Sequence, residues 1–258
     1  MQIIRGNIRL HVQVDGPDDG VPVVFANSLG TNLHVWDEVL RYLPDGLRIV
    51  RYDMRGHGKS SVPSGPYTMG QLISDAETIC DALDVRDALF VGLSVGGMVA
   101  QGLAVKRPEI IRAMVLSNTA AKIGHPKLWL DRIAAVERLG LDGVADEVMQ
   151  RWFSPSFVHV APWREMLVAT SVEGYVGTCA AISGTDFYTS TSRLRIPTLG
   201  IAGSEDGATP PDLVRETVDL VPGSQFVLMR GVGHLPCVED PDGYARHLTQ
   251  FMRDTGHL

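Results

Sequence analysis

The sequence predicts an α/β fold in which a mostly parallel sheet carries helices on both faces and a helical segment is inserted. Short apolar runs, such as residues 21–26 and 88–92, alternate along the chain with helix-like stretches, such as residues 69–83 and 95–107. Because these runs are continuously apolar, they indicate strands buried on both sides, as in a parallel sheet. The alternation stops between residues 119 and 195, where only helix-like patterns occur, so we expect the insertion there.

The strands can be assigned in chain order from their apolar residues. Residues 3–14 alternate in the manner of strands, because Ile8, Leu10, Val12 and Val14 share one face. After a turn rich in glycine, proline and aspartate, continuous apolar runs predict further strands at residues 21–26, 47–52, 88–92, 113–117, 196–202 and 225–229.

The helices follow from longer periodic stretches. The helix at residues 95–107 is stopped by Pro108, because proline cannot continue a helix. Three of the four tryptophans lie in residues 119–195, which suggests a cap over a site. We therefore expect an α/β core at residues 1–118 and 196–258, and a helical cap at residues 119–195, here called the insert. The remaining predicted helices are residues 69–83, 128–139, 143–152, 163–170, 175–182 and 241–253.

Composition narrows the classes of function. The net charge of −7 disfavours nucleic acid as a partner, because an acidic surface repels phosphates. The three cysteines form no C-x-x-C pair, which disfavours a disulfide framework or zinc site and favours a reducing cytoplasm. Residues 1–7 lack the apolar core of a signal peptide, and no apolar run approaches the roughly 20 residues of a membrane span. A cytoplasmic protein without a membrane partner is expected.

The stretch Gly92-Leu-Ser-Val-Gly96 matches the pattern G-x-S-x-G, with a strand before it and a helix after it. In this context the serine takes a strained backbone conformation, and side chains at either glycine would collide with neighbouring elements. Ser94 would then project at the carboxyl end of the sheet, where the free N–H groups of the following helix could stabilise an oxyanion. The pattern alone is also compatible with a simple glycine-rich turn.

The partners of a nucleophilic serine follow in the expected order, first an acid and then a histidine. Asp206 comes just after the strand at residues 196–202, and His234 just after the strand at residues 225–229. The carboxyl ends of parallel strands share one edge, so Ser94, Asp206 and His234 should meet there. The sequence thus predicts a serine hydrolase with a Ser-His-Asp triad.

Other residues compete for these roles. Glu205 is adjacent to Asp206 and could be the acid instead. His57 lies after an earlier strand, in a position that suits a loop shaping the edge of the sheet. His247 lies on the terminal helix, where a surface or core role is expected.

An oxyanion hole needs a second backbone donor from a loop after an early strand. The loop Asn27-Ser-Leu-Gly-Thr31 follows the strand that ends at Ala26. We expect the N–H groups of Leu29 and Val95 to form the oxyanion hole together, although the loop could also be a simple turn.

Five ordered motifs together resemble the α/β-hydrolase superfamily. They are Asn27-Ser-Leu-Gly30, Asp53-Met-Arg-Gly-His-Gly-Lys-Ser60, Gly92-Leu-Ser-Val-Gly-Gly97, Gly203-Ser-Glu-Asp206 and Gly231-Val-Gly-His234. Within that superfamily the chain is most similar to the 3-oxoadipate enol-lactonases. The discriminating pieces are Asn27-Ser-Leu-Gly-Thr31 with His34-Val-Trp-Asp37, Trp129 with Arg132-Ile-Ala-Ala-Val136, Arg151-Trp-Phe-Ser-Pro155 and Gly174-Tyr-Val-Gly-Thr-Cys-Ala-Ala181.

This resemblance implies hydrolysis of 3-oxoadipate enol-lactone through an acyl-enzyme, in the breakdown of aromatic compounds by the β-ketoadipate pathway. No metal or organic cofactor has a task in that chemistry. The small anionic lactone carries a carboxylate, which needs a cationic partner in an apolar enclosure. Arg132 shares a helix face with Trp129 and is expected to hold the carboxylate, with Trp129 and Trp152 as further substrate-binding residues. Arg132 could instead be a solvated residue of the cap.

Two alternatives remain open at this point. The first is another hydrolase, either a carboxylesterase or a cofactor-free haloperoxidase-like enzyme, since the same triad would serve it. The second is a receptor with this fold that binds a small ligand and hydrolyses it slowly or in a single turnover.

Overall fold

A computed structural model describes residues 1–258 and contains one eight-stranded sheet. The strands lie side by side in the order β1-β2-β4-β3-β5-β6-β7-β8. The pairs β1–β2 and β2–β4 are antiparallel, and all other neighbours are parallel, which confirms the predicted mostly parallel sheet. The strands are β1 (Gln2–Arg5), β2 (Ile8–Asp15), β3 (Val21–Ala26), β4 (Leu47–Tyr52), β5 (Ala88–Leu93), β6 (Ile111–Ser117), β7 (Thr198–Gly203) and β8 (Gln225–Met229).

Helices connect the strands and cover both faces of the sheet. Every residue of β5 and β7 is buried, which requires cover on both sides. A 3-10 turn at Leu33–Trp36 precedes α1 (Asp37–Leu40), α2 (Met69–Ala82), α3 (Val95–Lys106), α4 (Pro126–Leu139), α5 (Asp142–Trp152), α6 (Ala161–Val168), α7 (Val172–Ser183), α8 (Tyr188–Thr191), α9 (Pro211–Asp219), α10 (Pro236–Glu239) and α11 (Pro241–Asp254). Helix α2 packs against α3, and α1 packs against α11.

The structure adds a 3-10 turn and three four-residue helices, α1, α8 and α10, that were not predicted, and it differs further at the first hairpin and at helix α9. Residues 3–14 form two strands, because the chain turns at Gly6, where φ is +60°, and β1 pairs back onto β2 with Ile3 opposite Leu10. Helix α9 was not predicted, because its buried face consists of only Val214, Thr217 and Val218, which is too short a pattern to read.

The register of the parallel strands brings five loops to one edge of the sheet. Strands β3, β5 and β6 end level with one another, since Ala26 lies opposite Gly92 and Leu93 lies opposite Ser117. Strand β7 pairs with β6 at the same level, and β8 ends level with β7. The loops that follow these strands therefore start close together.

Five helices, α4 to α8, lie between β6 and β7 within residues 119–195. An aromatic cluster joins α5 to α6: Phe153 stacks on Phe157 with ring centres 4.7 Å apart, and Trp163 lies 6.5 Å from Phe153. Trp163 thus packs inside the insert.

No single helix is long and apolar enough to cross a membrane. The bent pair of α6 and α7, which meet at 91°, satisfies length and composition only when the two are added together.

Candidate active site

Ser94 occupies the tight turn between β5 and α3. Its φ of +57° and ψ of −119° form a backbone conformation that costs a non-glycine residue about 1–3 kcal/mol. A Cβ atom at Gly92 would overlap the carbonyl oxygen of Gly96, and a Cβ atom at Gly96 would overlap the carbonyl of Ala26. Glycine at both positions therefore lets the strand, the turn and the helix pack closely around Ser94.

Strand β6 and the loop that follows it hold this strained turn in place. The Ser94 N–H donates to the carbonyl oxygen of Ser117 at 2.9 Å, and the Ser94 carbonyl accepts from Thr119 Oγ1 at 2.6 Å. The side chain of Thr119 also fills the space that a Cβ atom at Gly97 would need. The loop after β6 thus fixes the conformation that presents Ser94.

His234 and Asp206 form a buried pair at the same edge of the sheet. His234 Nδ1 lies 2.9 Å from Asp206 Oδ2, and the two side chains are 2% and 0% exposed. Burial by itself raises the pKa of Asp206. The charge on His234 and hydrogen bonds from His234, Asn118 and Thr209 outweigh burial, so the pKa of this carboxyl is lowered and it stays ionised.

Two of the residues around Asp206 were missed by sequence reasoning. Asn118 Nδ2 donates to Asp206 Oδ2 at 2.7 Å, and Thr209 Oγ1 donates to the same oxygen at 2.8 Å. Asn118 immediately follows β6 and adopts a φ of +46°, so its place at a strand end was the available signal. Thr209 gave no signal beyond its place three residues after Asp206.

Ser94 and His234 line one cavity of about 260 Å³ between the sheet edge and the insert. The hydrogen-bonding neighbour of His234 Nε2 in this structure is Ser28 Oγ, at 3.5 Å, rather than Ser94 Oγ. Catalytic hydrogen bonds are often long without substrate and tighten in the complex, so the shared cavity is the informative observation. It brings the predicted nucleophile and base together.

The loop after β3 also reaches this cavity. Leu29 lines it beside Ser94, and the backbone N–H groups of Leu29 and Val95 donate to no acceptor within the protein. Free N–H groups at the start of a helix and in an adjacent loop are suited to bind an oxyanion.

His57 is hydrogen-bonded to the loop after β3 and stabilises its conformation. Its Nε2 accepts a hydrogen bond from the Gly30 N–H at 3.0 Å, and its Nδ1 donates to the Arg55 carbonyl at 3.1 Å. This arrangement requires the neutral ring, and burial, the largest influence, lowers the pKa of His57. Both ring nitrogens of His57 are thus engaged in hydrogen bonds to backbone groups, so His57 does not act on Ser94 in this structure.

Glu205 lies apart from the buried pair. Its side chain is exposed and accepts from Ser204 Oγ at 3.1 Å, without contact to His234. His247 lies half-buried on α11, outside the cavity.

The insert contributes most of the apolar wall of the cavity, including Trp129 and Trp152. Arg132 also lines the cavity, with its side chain 9% exposed, and its Nη2 lies 3.4 Å from Glu147 Oε1. Arg151 is a second cationic side chain in the lining, although sequence reasoning assigned it no role in substrate binding. Its place in the motif Arg151-Trp-Phe-Ser-Pro155 was the available signal.

The end of α5 is tied to both loops that carry the buried pair. The Arg151 carbonyl accepts from Gly207 N at 3.2 Å, and the Trp152 carbonyl accepts from His234 N at 2.7 Å. Glu239 accepts from Gly233 N at 2.7 Å and from Ser154 N at 3.1 Å. The carboxyl end of α5 is therefore fixed relative to Asp206 and His234.

Known proteins of similar sequence and structure share this architecture. Residues 21–156 match a family model described as the alpha/beta hydrolase fold. The chain is 33% identical to 3-oxoadipate enol-lactonase 2 of Acinetobacter baylyi, over 96% of this chain and 94% of that protein.

Two solved structures extend the comparison. The enol-lactonase from Burkholderia xenovorans has a TM-score of 0.94 and 33% identity, over 98% of this chain and 100% of that one. A thermophilic esterase from Thermogutta terrifontis, solved with malate bound, has a TM-score of 0.91 and 26% identity, over 99% of this chain and 98% of that one.

The resemblance predicted from the motifs is confirmed by these matches. A family model matches more than half of the sequence, and enol-lactonases match nearly all of it. The chain therefore belongs to the α/β-hydrolase family and is a hydrolase.

Proposed function

We propose that this hydrolase opens 3-oxoadipate enol-lactone to 3-oxoadipate, within the β-ketoadipate pathway of aromatic breakdown. The observation that carries the proposal is the set of residues that line one cavity. Its lining includes Ser94, His234, Leu29 and Arg132, and His234 is hydrogen-bonded to the buried Asp206. The similarity to enol-lactonases over nearly the whole chain supports the choice of substrate.

Acylation begins when His234 Nε2 takes the proton of Ser94 Oγ as this oxygen bonds to the ring carbonyl carbon. His234 Nδ1–H donates to Asp206, which stabilises the imidazolium and fixes its orientation. The N–H groups of Leu29 and Val95 bind the new oxyanion. Loss of one such donor typically lowers kcat by about 100- to 1,000-fold.

Collapse of the tetrahedral intermediate breaks the bond between the acyl carbon and the ring oxygen. The leaving oxygen is that of an enolate, which needs little acid assistance and becomes a ketone by taking a proton at carbon. The His234 imidazolium gives up the corresponding proton and returns to its neutral form. His234 then deprotonates a water molecule, which attacks the acyl carbon, and the imidazolium protonates Ser94 Oγ as the bond between the acyl carbon and this oxygen breaks. The product is the open-chain keto diacid.

The charge of the substrate is the second part of the proposal. Residues 119–195 act as a cap, in which Trp129 and Trp152 form an apolar wall. The free carboxylate of the lactone binds Arg132, whose guanidinium is largely withdrawn from solvent, because an unpaired carboxylate in such a wall would be costly.

The direct test is to compare freshly made enol-lactone with p-nitrophenyl acetate as substrates of the wild-type protein. We expect kcat/KM for the lactone to exceed that for the neutral ester by at least about 100-fold, the upper range of one charged contact. A lactone rate no higher than the ester rate would reject the enol-lactonase assignment.

A carboxylesterase for neutral esters is the second candidate. The likeness to the Thermogutta terrifontis esterase favours it, and the same residues would catalyse the reaction. In that case replacement of Arg132 would leave kcat/KM for the preferred ester unchanged, which separates the two candidates.

A further inference from the structure

A second cavity, of about 360 Å³, adjoins the first between α4 and α5 and is here called the outer cavity, because Ser94 lines only the first. The two cavities share three lining residues, Leu128, Arg132 and Arg151, so these side chains form the partition between them. Glu147 lines only the outer cavity. A ligand in the outer cavity would therefore meet Glu147 and the two guanidinium groups before it reached Ser94.

Glu147 bridges the two arginines of this partition. Its Oε1 atom accepts from Arg132 Nη2 at 3.4 Å and also from Arg151 Nη2. The exposures of the three side chains differ, at 9% for Arg132, 38% for Arg151 and 58% for Glu147. One solvent-accessible carboxylate thus neutralises two cations that face the active-site cavity.

Helix α5, which carries Glu147 and Arg151, has a firm attachment to the loops of the active site, whereas its polar link to α4, which carries Arg132, is a single contact. Helix α5 is fixed at its carboxyl end by the backbone hydrogen bonds of Arg151 and Trp152 to the catalytic loops. The Arg132–Glu147 contact is the one side-chain hydrogen bond between α4 and α5. Displacement of the Glu147 carboxylate from Arg132 would therefore break the one polar side-chain link between α4 and α5 and leave the carboxyl end of α5 in place.

We propose that Glu147 is a resident anion at the entrance of the active site, which an anionic ligand displaces from Arg132 as it passes from the outer cavity inwards. Glu147 is then a specificity-determining residue. It occupies the guanidinium groups without ligand, and it weakens the binding of every carboxylate ligand by the free energy of its own contacts. A neutral ester does not compete for these contacts.

This inference rests on the proposed function only in taking an anion as the natural ligand. Its test measures binding without turnover, using adipate, an unreactive six-carbon dicarboxylate, in isothermal titration calorimetry. Glu147→Gln should lower the Kd of adipate by about 2- to 5-fold, since partly exposed ion pairs are weak. The matched control is Glu137→Gln, which removes the same charge from an exposed site on α4 that makes no ion pair.

Each outcome decides the inference. A lower Kd for Glu147→Gln but not for Glu137→Gln supports it, and Arg132→Met in the Glu147→Gln background should abolish the gain. Equal changes in both variants would indicate a long-range charge effect and overturn it, as would an unchanged or weaker affinity, or no adipate binding by any variant. If adipate affinity responds as expected while the lactone is not hydrolysed, the proposed substrate fails and the resident anion stands. If the lactone is hydrolysed but Glu147→Gln does not increase the affinity for adipate, the proposed substrate stands and the role of Glu147 as a resident anion is wrong.

Discussion

The carboxylate of Asp206 offers the most demanding test of the proposed triad. Five donors converge on it: Oδ2 accepts from His234 Nδ1, Asn118 Nδ2 and Thr209 Oγ1, and Oδ1 accepts from the N–H groups of Ala208 and Thr209. Asparagine at this position has one oxygen and one NH₂ group. Because both carboxylate oxygens are acceptors here, the NH₂ group must face donors whichever way the amide turns.

The less costly orientation keeps the amide oxygen towards the two backbone N–H groups. The NH₂ group then faces His234 Nδ1, which can accept only if the imidazole proton moves to Nε2. That tautomer cannot take a proton from Ser94. We therefore expect Asp206→Asn to lower kcat about 10,000-fold, as an acid-to-amide change does in a serine protease triad. The unpaired donors of Asn118 and Thr209 should also lower the free energy of unfolding by about 1–3 kcal/mol.

The assay is kcat and KM for p-nitrophenyl acetate at pH 8, with urea unfolding of the same samples. The matched control is Glu205→Gln, whose exposed side chain contacts only Ser204, and it should retain activity within about twofold. If Glu205→Gln loses as much activity as Asp206→Asn, or if Asp206→Asn stays within tenfold of wild type, the assignment of Asp206 as the acid is wrong.

Three further predictions follow from the site. Ser94→Ala should lower kcat for lactone and ester at least about 1,000-fold and leave the protein folded by circular dichroism, whereas a near-native rate would exclude Ser94 as nucleophile. Arg132→Met should lower kcat/KM for the anionic lactone about 10- to 150-fold, mainly through KM, and spare p-nitrophenyl acetate; equal effects on both would assign the role elsewhere. Because burial lowers the pKa of His57, the unfolded chain binds that proton first, so the free energy of unfolding should decline as pH falls below about 6.5. Urea unfolding at pH 7.5 and 5.5 checks this, and His57→Asn should show a smaller decline; an equal decline would remove His57 as its source.

Sequence by itself determined the architecture and the position of the proposed nucleophile, Ser94. Continuous apolar runs specify strands that must be covered on both faces, and this pattern gave the mostly parallel sheet. Ser94 was readable because its constraints are local: the glycines at 92 and 96 are required by contacts within one strand–turn–helix unit and its neighbouring strand. The hairpin of β1 and β2 was missed, although the buried positions shift from the odd-numbered Ile3 to the even-numbered Ile8 and Leu10 across the turn at Gly6.

Tertiary structure alone decided which polar groups meet. Asn118 reaches Asp206 across 88 positions of sequence, and the pairing depends on the register of β6 against β7, which no local pattern records. The bridge from Glu147 to Arg132 likewise joins two helices whose charged residues are indistinguishable from solvated surface residues in the sequence. Apolar periodicity specifies which face of an element is buried because burial dominates the free energy of folding. Hydrogen bonds and ion pairs are short-ranged and directional, so their partners are set only when packing fixes distances to within about half an ångström.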